Sequence, residues 1–254
     1  MRTRFLRILA LCSLLVVMLG AGRCLAADIT VSAAASLTNA FTEVKDAFTK
    51  KYPDVKVTTN FAASNPLLRQ IEEGAPVDVF ASADQSTMDK ASKSGVIDDA
   101  SRKDFALNGL ALIVPADSKL DIAGPEDLNK AEVQKIAIGN PESVPAGRYA
   151  KASLTSTGQW ETLQPKYIMG ESVRQTLDYV SRGEVDAGIV YMTDAKQAGD
   201  KVKVVKVLSG HDPVLYPIAV IKKAAAPKEA AMFIDFVLSE EGTAILSKYG
   251  FAKP

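Results

Sequence analysis

Strand-like and helix-like stretches alternate along the chain, and no flexible linker separates them. Short apolar runs such as DITVSA at 28–33 and GLALIVP at 109–115 are typical of buried strands. Longer amphipathic stretches between them, such as LTNAFTEVKDAFTKK at 37–51, are typical of helices. The alternation predicts an α/β protein in which mostly parallel sheets are flanked by helices.

The absence of a linker indicates that any two lobes are joined by strands that cross between them. The candidate crossings lie near Leu107 and near Pro217. We therefore expect one lobe from residues 27–107 and 217–254, and a second lobe from 108–216. A ligand is expected in the cleft between the lobes, beside the C-terminal ends of strands.

Residues 1–26 have the pattern of a secretory signal peptide. Three arginines within the first seven residues precede an apolar stretch at 8–19, and small residues lie just before the expected cleavage site after Ala26. The apolar stretch is too short to anchor the chain in a membrane. The bulky Arg23 argues against a lipid on Cys24. We expect an exported, periplasmic protein.

The composition excludes several classes of function. The chain has 30 basic and 30 acidic residues, and the leader holds four arginines and no acid, so the rest carries a formal charge of −4. An acidic balance without a basic cluster argues against nucleic acid as a partner. Both cysteines lie in the leader and only one histidine follows it, which argues against disulfides and transition-metal sites. We expect no cofactor.

Small or hydroxyl-bearing residues open a helix directly after a strand at four places. Helix N-termini carry unpaired N–H groups and partial positive charge, so they attract anions. Two of the starts precede the first crossing and two follow it, so each lobe would direct two towards one cleft. Alanines at 33–35, and Ala146 with Gly147, would let a ligand reach the backbone. The segments are AAASLTN at 33–39, FAASNP at 61–66, SVPAGRYA at 143–150 and ESVRQ at 171–175.

The segments AAASLTNAF, GAPVDVFASADQ, NPESVPAGRYAK, GIVYMTDA and SEEGTAILSKYGF closely resemble the periplasmic molybdate-binding proteins of ABC transporters. The similarity runs over essentially the whole chain after the leader, in the same order and spacing. It implies a two-lobed, type II periplasmic-binding-protein fold that closes on molybdate or tungstate. It also implies delivery of the ion to a transporter permease in the inner membrane. We expect a monomer without enzymatic activity.

The resemblance also implies which groups hold the ligand. They are the hydroxyl and backbone groups of Ser36 and Ser64, the backbone amides of Ala146 and Val173, and the hydroxyl of Tyr191. None of these residues is acidic, which favours molybdate, tungstate or sulfate over phosphate, because phosphate carries a proton and calls for an acceptor. Cavity size would then separate molybdate from sulfate.

Two neighbouring features of the sequence bear on this site. Pro66 removes one possible N–H donor beside Ser64, and Asn65 is a candidate to replace it. We interpret Arg148 and Arg174 as solvent-facing helix positions.

Other classes of function remain open from the residues alone. In a secreted serine hydrolase, Ser36 would be the nucleophile, but the only histidine, His211, lies in an SGHDP turn. The sequence contains neither a G-x-S-x-G elbow nor a phosphate-binding P-loop. A receptor for an organic anion or amino acid shares the expected fold. Such a receptor usually needs an arginine clamp and an aromatic platform, and the only tryptophan, Trp160, reads as helix-end packing.

Overall fold

The structure, a computed structural model, describes residues 27–254, so the predicted signal peptide lies outside the described residues. The strands are β1 Ala27–Ala34, β2 Val55–Ala62, β3 Val79–Ala81, β4 Lys103–Asn108, β5 Leu110–Pro115, β6 Ile136–Gly139, β7 Tyr167–Gly170, β8 Ala187–Tyr191, β9 Val202–Leu208 and β10 Val214–Val220. The α-helices are α1 Thr38–Lys51, α2 Ser64–Glu72, α3 Gln85–Lys93, α4 Pro145–Ser156, α5 Trp160–Leu163, α6 Val173–Ser181, α7 Met192–Ala198, α8 Pro227–Leu238 and α9 Glu240–Lys248.

The strands form two five-stranded sheets, with the orders β2-β1-β3-β10-β4 and β7-β6-β8-β5-β9. In the first sheet only β10 runs against the other four strands, and in the second sheet only β5 does. Each sheet with the helices packed on it is called a lobe below. Two mixed sheets flanked by helices confirm the predicted α/β class.

The chain passes between the lobes at two short connections. Gly109 alone separates β4 of the first sheet from β5 of the second. The return connection is 209–213, because β10 begins at Val214 and already belongs to the first sheet. The predicted crossing at Pro217 is therefore placed three residues too late, and Asn108 lies in the first sheet. The predicted assignment of the remaining residues to the two lobes stays a prediction.

An aromatic cluster fastens the long helices to the first sheet. Phe48 of α1 lies edge-on to Phe233 of α8, with ring centroids 5.3 Å apart. Phe41 of α1 lies 5.6 Å from Phe105 of β4. Burial of each such side chain stabilises the fold by about 1.5–3 kcal/mol. The cluster holds α1, and the turn that precedes it, at the C-terminal end of β1. Among residues 27–254, no helix has the length and apolar character needed to cross a bilayer.

The start of α4 packs directly on β6 through two glycines. A Cβ atom added to Gly147 would lie only 2.0 Å from the carbonyl oxygen of Gly139. Gly147 therefore faces β6, and the expectation that it opens the backbone to a ligand is wrong. Its neighbour Ala146 points to the other side of the helix, where it lines the cavity described below. The glycine contact fixes how far α4 reaches into the cleft.

We expect Gly147→Ala to destabilise the protein by at least about 2 kcal/mol, because the added methyl group must displace backbone atoms. Urea unfolding measures the change. Ala152→Ser, which also adds one atom to α4 but at an exposed position, should change the free energy of unfolding by less than about 0.5 kcal/mol. Equal stability of the two variants would contradict the close packing of α4 on β6.

Candidate anion-binding site

A small cavity lies between the two lobes and brings together all five residues implied by the sequence resemblance. The lining residues of the first lobe are Ala34, Ala35, Ser36, Ala63, Ser64 and Ala83, and those of the second lobe are Val144, Pro145, Ala146, Val173 and Tyr191. Small side chains dominate the lining, so backbone atoms are accessible from the cavity. The role of these residues in holding a ligand stays a prediction.

Residues at the starts of helices line the cavity from both lobes. Ser36 lies in a 3-10 turn, Ala35–Leu37, between β1 and α1, and Ser64 is the first residue of α2. On the second lobe, Pro145 opens α4 and the Ser172 side chain caps α6 by accepting the Gln175 N–H at 3.2 Å. The signals at Pro145 and Ser172 predict the starts of α4 and α6 correctly, whereas α2 begins at Ser64 without a side-chain cap.

Two backbone N–H groups of the second lobe lack an acceptor. Ala146 and Val173 are 1% and 4% exposed, and within residues 27–254 their N–H groups make no hydrogen bond. The first N–H groups of a helix have no carbonyl oxygen one turn earlier. Buried N–H groups are nearly always paired, so an acceptor that the protein does not provide is expected in the cavity.

The hydroxyl groups of Ser64 and Tyr191 add neutral donors. Ser64 Oγ accepts the Ala83 N–H at 3.1 Å, which leaves its own proton free for the cavity. Tyr191 Oη makes only a long contact of 3.4 Å with the Ala83 carbonyl oxygen. Burial, reinforced by nearby Tyr216, raises the pKa of Tyr191 well above its ordinary value. The phenol therefore keeps its proton and can donate it to an anion.

Arg148 does not face solvent, and that prediction is wrong. Its Nε lies 2.8 Å from Asp84 Oδ2, and its Nη2 lies 2.8 Å from Thr87 Oγ1. Asn65 joins the same network, because its Nδ2 donates to the Glu142 carbonyl oxygen at 2.7 Å and its Oδ1 accepts from Thr87. These contacts link α4 and the loop before it to the first lobe, and the Asn65 side chain is committed to them.

Sequence reasoning had one available signal for this network. Asp84 follows β3 at the same end of the sheet as Ser36 and Ser64, where a carboxylate would repel a bound anion. The structure buries Asp84 and pairs it with Arg148. A carboxylate at this sheet edge therefore indicates a cationic partner. That partner is Arg148 of the second lobe.

Arg174 also lies at the lobe interface and not in solvent. Its Nη2 donates to the Ser36 carbonyl oxygen at 3.3 Å, and its Nε lies 2.8 Å from Asp194 Oδ1. The Nε–H is not aligned with the carboxylate, so the contact with Asp194 is an ion pair without a well-formed hydrogen bond. Asp194 is fully buried, and burial raises its pKa to about 6, although Arg174 opposes the shift.

The geometry around His211 differs from that of a catalytic pair. Its ring nitrogens contact the carbonyl oxygens of Asp212 at 2.7 Å and Leu208 at 3.2 Å, while Ser36 Oγ contacts Tyr216 Oη. Within residues 27–254, no cluster of three or more His, Cys, Asp or Glu side chains could hold a metal ion. The arrangement between the lobes is suited to holding an anion by neutral hydrogen-bond donors.

Two α/β lobes around a small cavity of inward-directed donors define a solute-binding protein. The chain belongs to the bacterial extracellular solute-binding proteins, whose family model matches residues 29–252. It is 41% identical to the molybdate-binding protein ModA of Escherichia coli over 239 residues, which cover 91% of this chain and 92% of that protein. It is 36% identical to ModA of Haemophilus influenzae over 245 residues, or 94% of this chain and 96% of that protein.

A solved structure shows the same fold. The periplasmic molybdate-binding protein of Azotobacter vinelandii superposes with a TM-score of 0.79 at 24% identity, and the match covers 89% of this chain and 99% of that chain. The two-lobed arrangement expected from the sequence resemblance is therefore confirmed, and so is the assignment to this family of binding proteins.

The buried Asp194 predicts a specific dependence of stability on pH. Between about pH 4 and pH 6 the folded protein holds a proton on Asp194 that the unfolded chain has released, so stability falls as pH rises. The shift from 3.8 to about 6 corresponds to a loss of up to about 3 kcal/mol across this window. Urea unfolding of the protein and of Asp194→Asn from pH 4 to pH 7 measures it.

The difference in free energy of unfolding between the protein and Asp194→Asn should fall from pH 4 to pH 6 and then level off. Asp46→Asn, on the exposed surface of α1, is the control for loss of a carboxylate and should show no such step at pH 5–6. A flat difference for Asp194→Asn over this range would mean that Asp194 is ionised in the folded protein throughout.

Proposed function

We propose that this protein captures molybdate, and also tungstate, in the cavity between its lobes and delivers the ion to the permease of an ABC transporter. The observation that carries the proposal is that one cavity is lined from both lobes by residues whose hydroxyl and backbone N–H groups are neutral hydrogen-bond donors. The proposed donors are the hydroxyls of Ser36, Ser64 and Tyr191 and the backbone N–H groups of Ala146 and Val173.

The chemistry of these donors suits a fully deprotonated oxyanion. Molybdate is a dianion near neutral pH and needs donors only, whereas phosphate retains a proton that requires an acceptor. Asp84 is a carboxylate of the neighbouring loop, but it is occupied by Arg148 and by the N–H of Thr87. The names of the E. coli and H. influenzae relatives, which match over nearly their full lengths, support molybdate over sulfate.

Binding and closure are coupled in this proposal. One small ion has to receive donors from both lobes at the same time, so the ion favours the closed arrangement over an open one. The contacts of Arg148 with Asp84 and of Asn65 with the Glu142 carbonyl group stabilise that arrangement at the rim of the cleft. Release to a permease would then require the two lobes to separate.

The remaining parts of the proposal concern where and how the protein works. Its leader, residues 1–26, directs export to the periplasm, where the protein acts as a monomer without a cofactor. The family's description as extracellular supports export. The protein is not a hydrolase in this proposal, because both ring nitrogens of His211 are engaged by backbone carbonyl groups and not by Ser36.

Calorimetric titration of residues 27–254 tests the function. Molybdate and tungstate should bind tightly, sulfate more weakly, and phosphate not at all. Ser36→Ala should weaken molybdate binding about ten- to a hundredfold, because a hydrogen bond to a charged group contributes about 1.5–3 kcal/mol and about 1.4 kcal/mol is one decade. Ala146→Pro deletes an N–H group in the first helical turn and should weaken binding at least as much.

His211→Ala is the control and should bind molybdate like the parent protein. In a hydrolase that uses the only histidine, this variant would instead be the most damaged of the set. Loss of binding in His211→Ala, together with parent-like affinity in Ser36→Ala and Ser64→Ala, would overturn the site. Sulfate binding as tight as molybdate binding would overturn the choice of ligand.

A further inference from the structure

A row of hydrogen bonds leads from the strand crossing to the cavity. Asn108, the last residue of β4, places its Nδ2 3.2 Å from Tyr216 Oη on β10. Tyr216 Oη in turn lies 2.9 Å from Ser36 Oγ. Tyr216 is completely buried and Ser36 is 3% exposed, so water does not compete for the bond between them, whereas Asn108 is half-buried.

The chemistry of Asn108 sets the direction of the row. Its Oδ1 accepts the N–H of Gly109 at 2.9 Å, so its amide nitrogen is the group that faces Tyr216 and Thr193 Oγ1. An amide N–H can only donate. The Tyr216 oxygen therefore accepts from Asn108. Among residues 27–254, Ser36 Oγ is the acceptor within hydrogen-bond distance of the single Tyr216 proton, so the bond is satisfied when Tyr216 donates to Ser36. Burial raises the pKa of Tyr216 well above its ordinary value, which keeps that proton in place.

We infer that Asn108 and Tyr216 are positioning residues that fix the Ser36 hydroxyl as a hydrogen-bond donor to the bound oxyanion. Ser36 Oγ accepts from Tyr216, so its own proton is free for the cavity that Ser36 lines. This inference rests on the proposed function, because it assigns a direction to one of the proposed ligand contacts.

The same arrangement disfavours an oxyanion that carries a proton. For Ser36 to present a lone pair to such a ligand in the direction that its proton now takes, that proton would have to turn towards Tyr216. Tyr216 would then lose its acceptor, because the amide nitrogen of Asn108 cannot serve as one. A buried donor without a partner is unfavourable, so reversal of the row is opposed. The Ser64 hydroxyl is arranged in the same way, because its oxygen accepts the Ala83 N–H and its proton is left for the cavity.

Thr193 connects this row to the second lobe. It is the second residue of α7, and its Oγ1 accepts from Asn108 Nδ2 at 2.8 Å. Asn108 is therefore held from both sides of the crossing, by Tyr216 of the first lobe and Thr193 of the second. The orientation of the Ser36 hydroxyl therefore depends on residues at the crossing between the lobes and not only on residues of the cavity.

Tyr216→Phe tests the inference, because it removes one oxygen and keeps the ring that packs on Phe105 and Phe251. We expect molybdate affinity to fall about tenfold. The preference for molybdate over inorganic phosphate should also become smaller, because the Ser36 hydroxyl can then rotate its proton away from the cavity. In the Ser36→Ala background, Tyr216→Phe should cause no further loss of molybdate affinity. A purely structural role would weaken binding equally in both backgrounds and leave the preference unchanged.

Tyr149→Phe is the matched control. This tyrosine contacts the ring of Tyr191, and within residues 27–254 its hydroxyl makes no hydrogen bond, so affinity should not change. Thermal unfolding without ligand verifies that each variant is folded. If Tyr216→Phe does not fold, Asn108→Ala replaces it and should show the same dependence on Ser36.

The outcomes separate this inference from the proposed function. Failure of the parent protein to bind molybdate would overturn the function. Parent-like affinity of Tyr216→Phe, beside a weakened Ser36→Ala, would overturn only the positioning role. Equal losses caused by Tyr216→Phe with and without the Ser36 hydroxyl would also overturn it.

Discussion

The candidate site depends on backbone N–H groups that their own helices cannot satisfy. The starts of α4 and α6 are buried between the lobes, where Ala146 and Val173 line the cavity, and their N–H groups have no partner among residues 27–254. An unpaired buried donor is unfavourable by about 1–3 kcal/mol. In the proposed function, a bound anion supplies the acceptor that these groups lack, and closure of the lobes is thereby linked to binding.

Charged side chains near the cavity shape the interface instead of holding the ligand. Arg148 is paired with Asp84, and Arg174 with Asp194, so each guanidinium is balanced by a carboxylate. Both arginines also reach from the second lobe to the first. Neutral donors and helix dipoles are then left to stabilise the anion in the proposed function. A free guanidinium at contact distance would attract many kinds of anion, whereas fixed neutral donors respond to the protonation and shape of the ligand.

Local patterns predicted the elements but not their partners. The helix start at Val173 was predicted because the capping residue Ser172 acts within a few positions of it. The exposure of Arg148 and Arg174 was predicted wrongly, because a position that points away from its own lobe can face the other lobe. Gly147 was misread for the same reason: the atoms that require a glycine there belong to Gly139 on a different element.

The sequence by itself determined the alternation of strands and helices, the four segments where helices begin after strands, and the scarcity of cysteine and histidine after the leader. These properties follow from side-chain types and from spacings within one element. Only the tertiary structure decided which groups meet. Ser36 and Tyr216 are 180 positions apart, and Arg148 and Asp84 are 64 apart. Such pairs, and the raised pKa of Asp194, depend on packing between elements, which local periodicity does not encode.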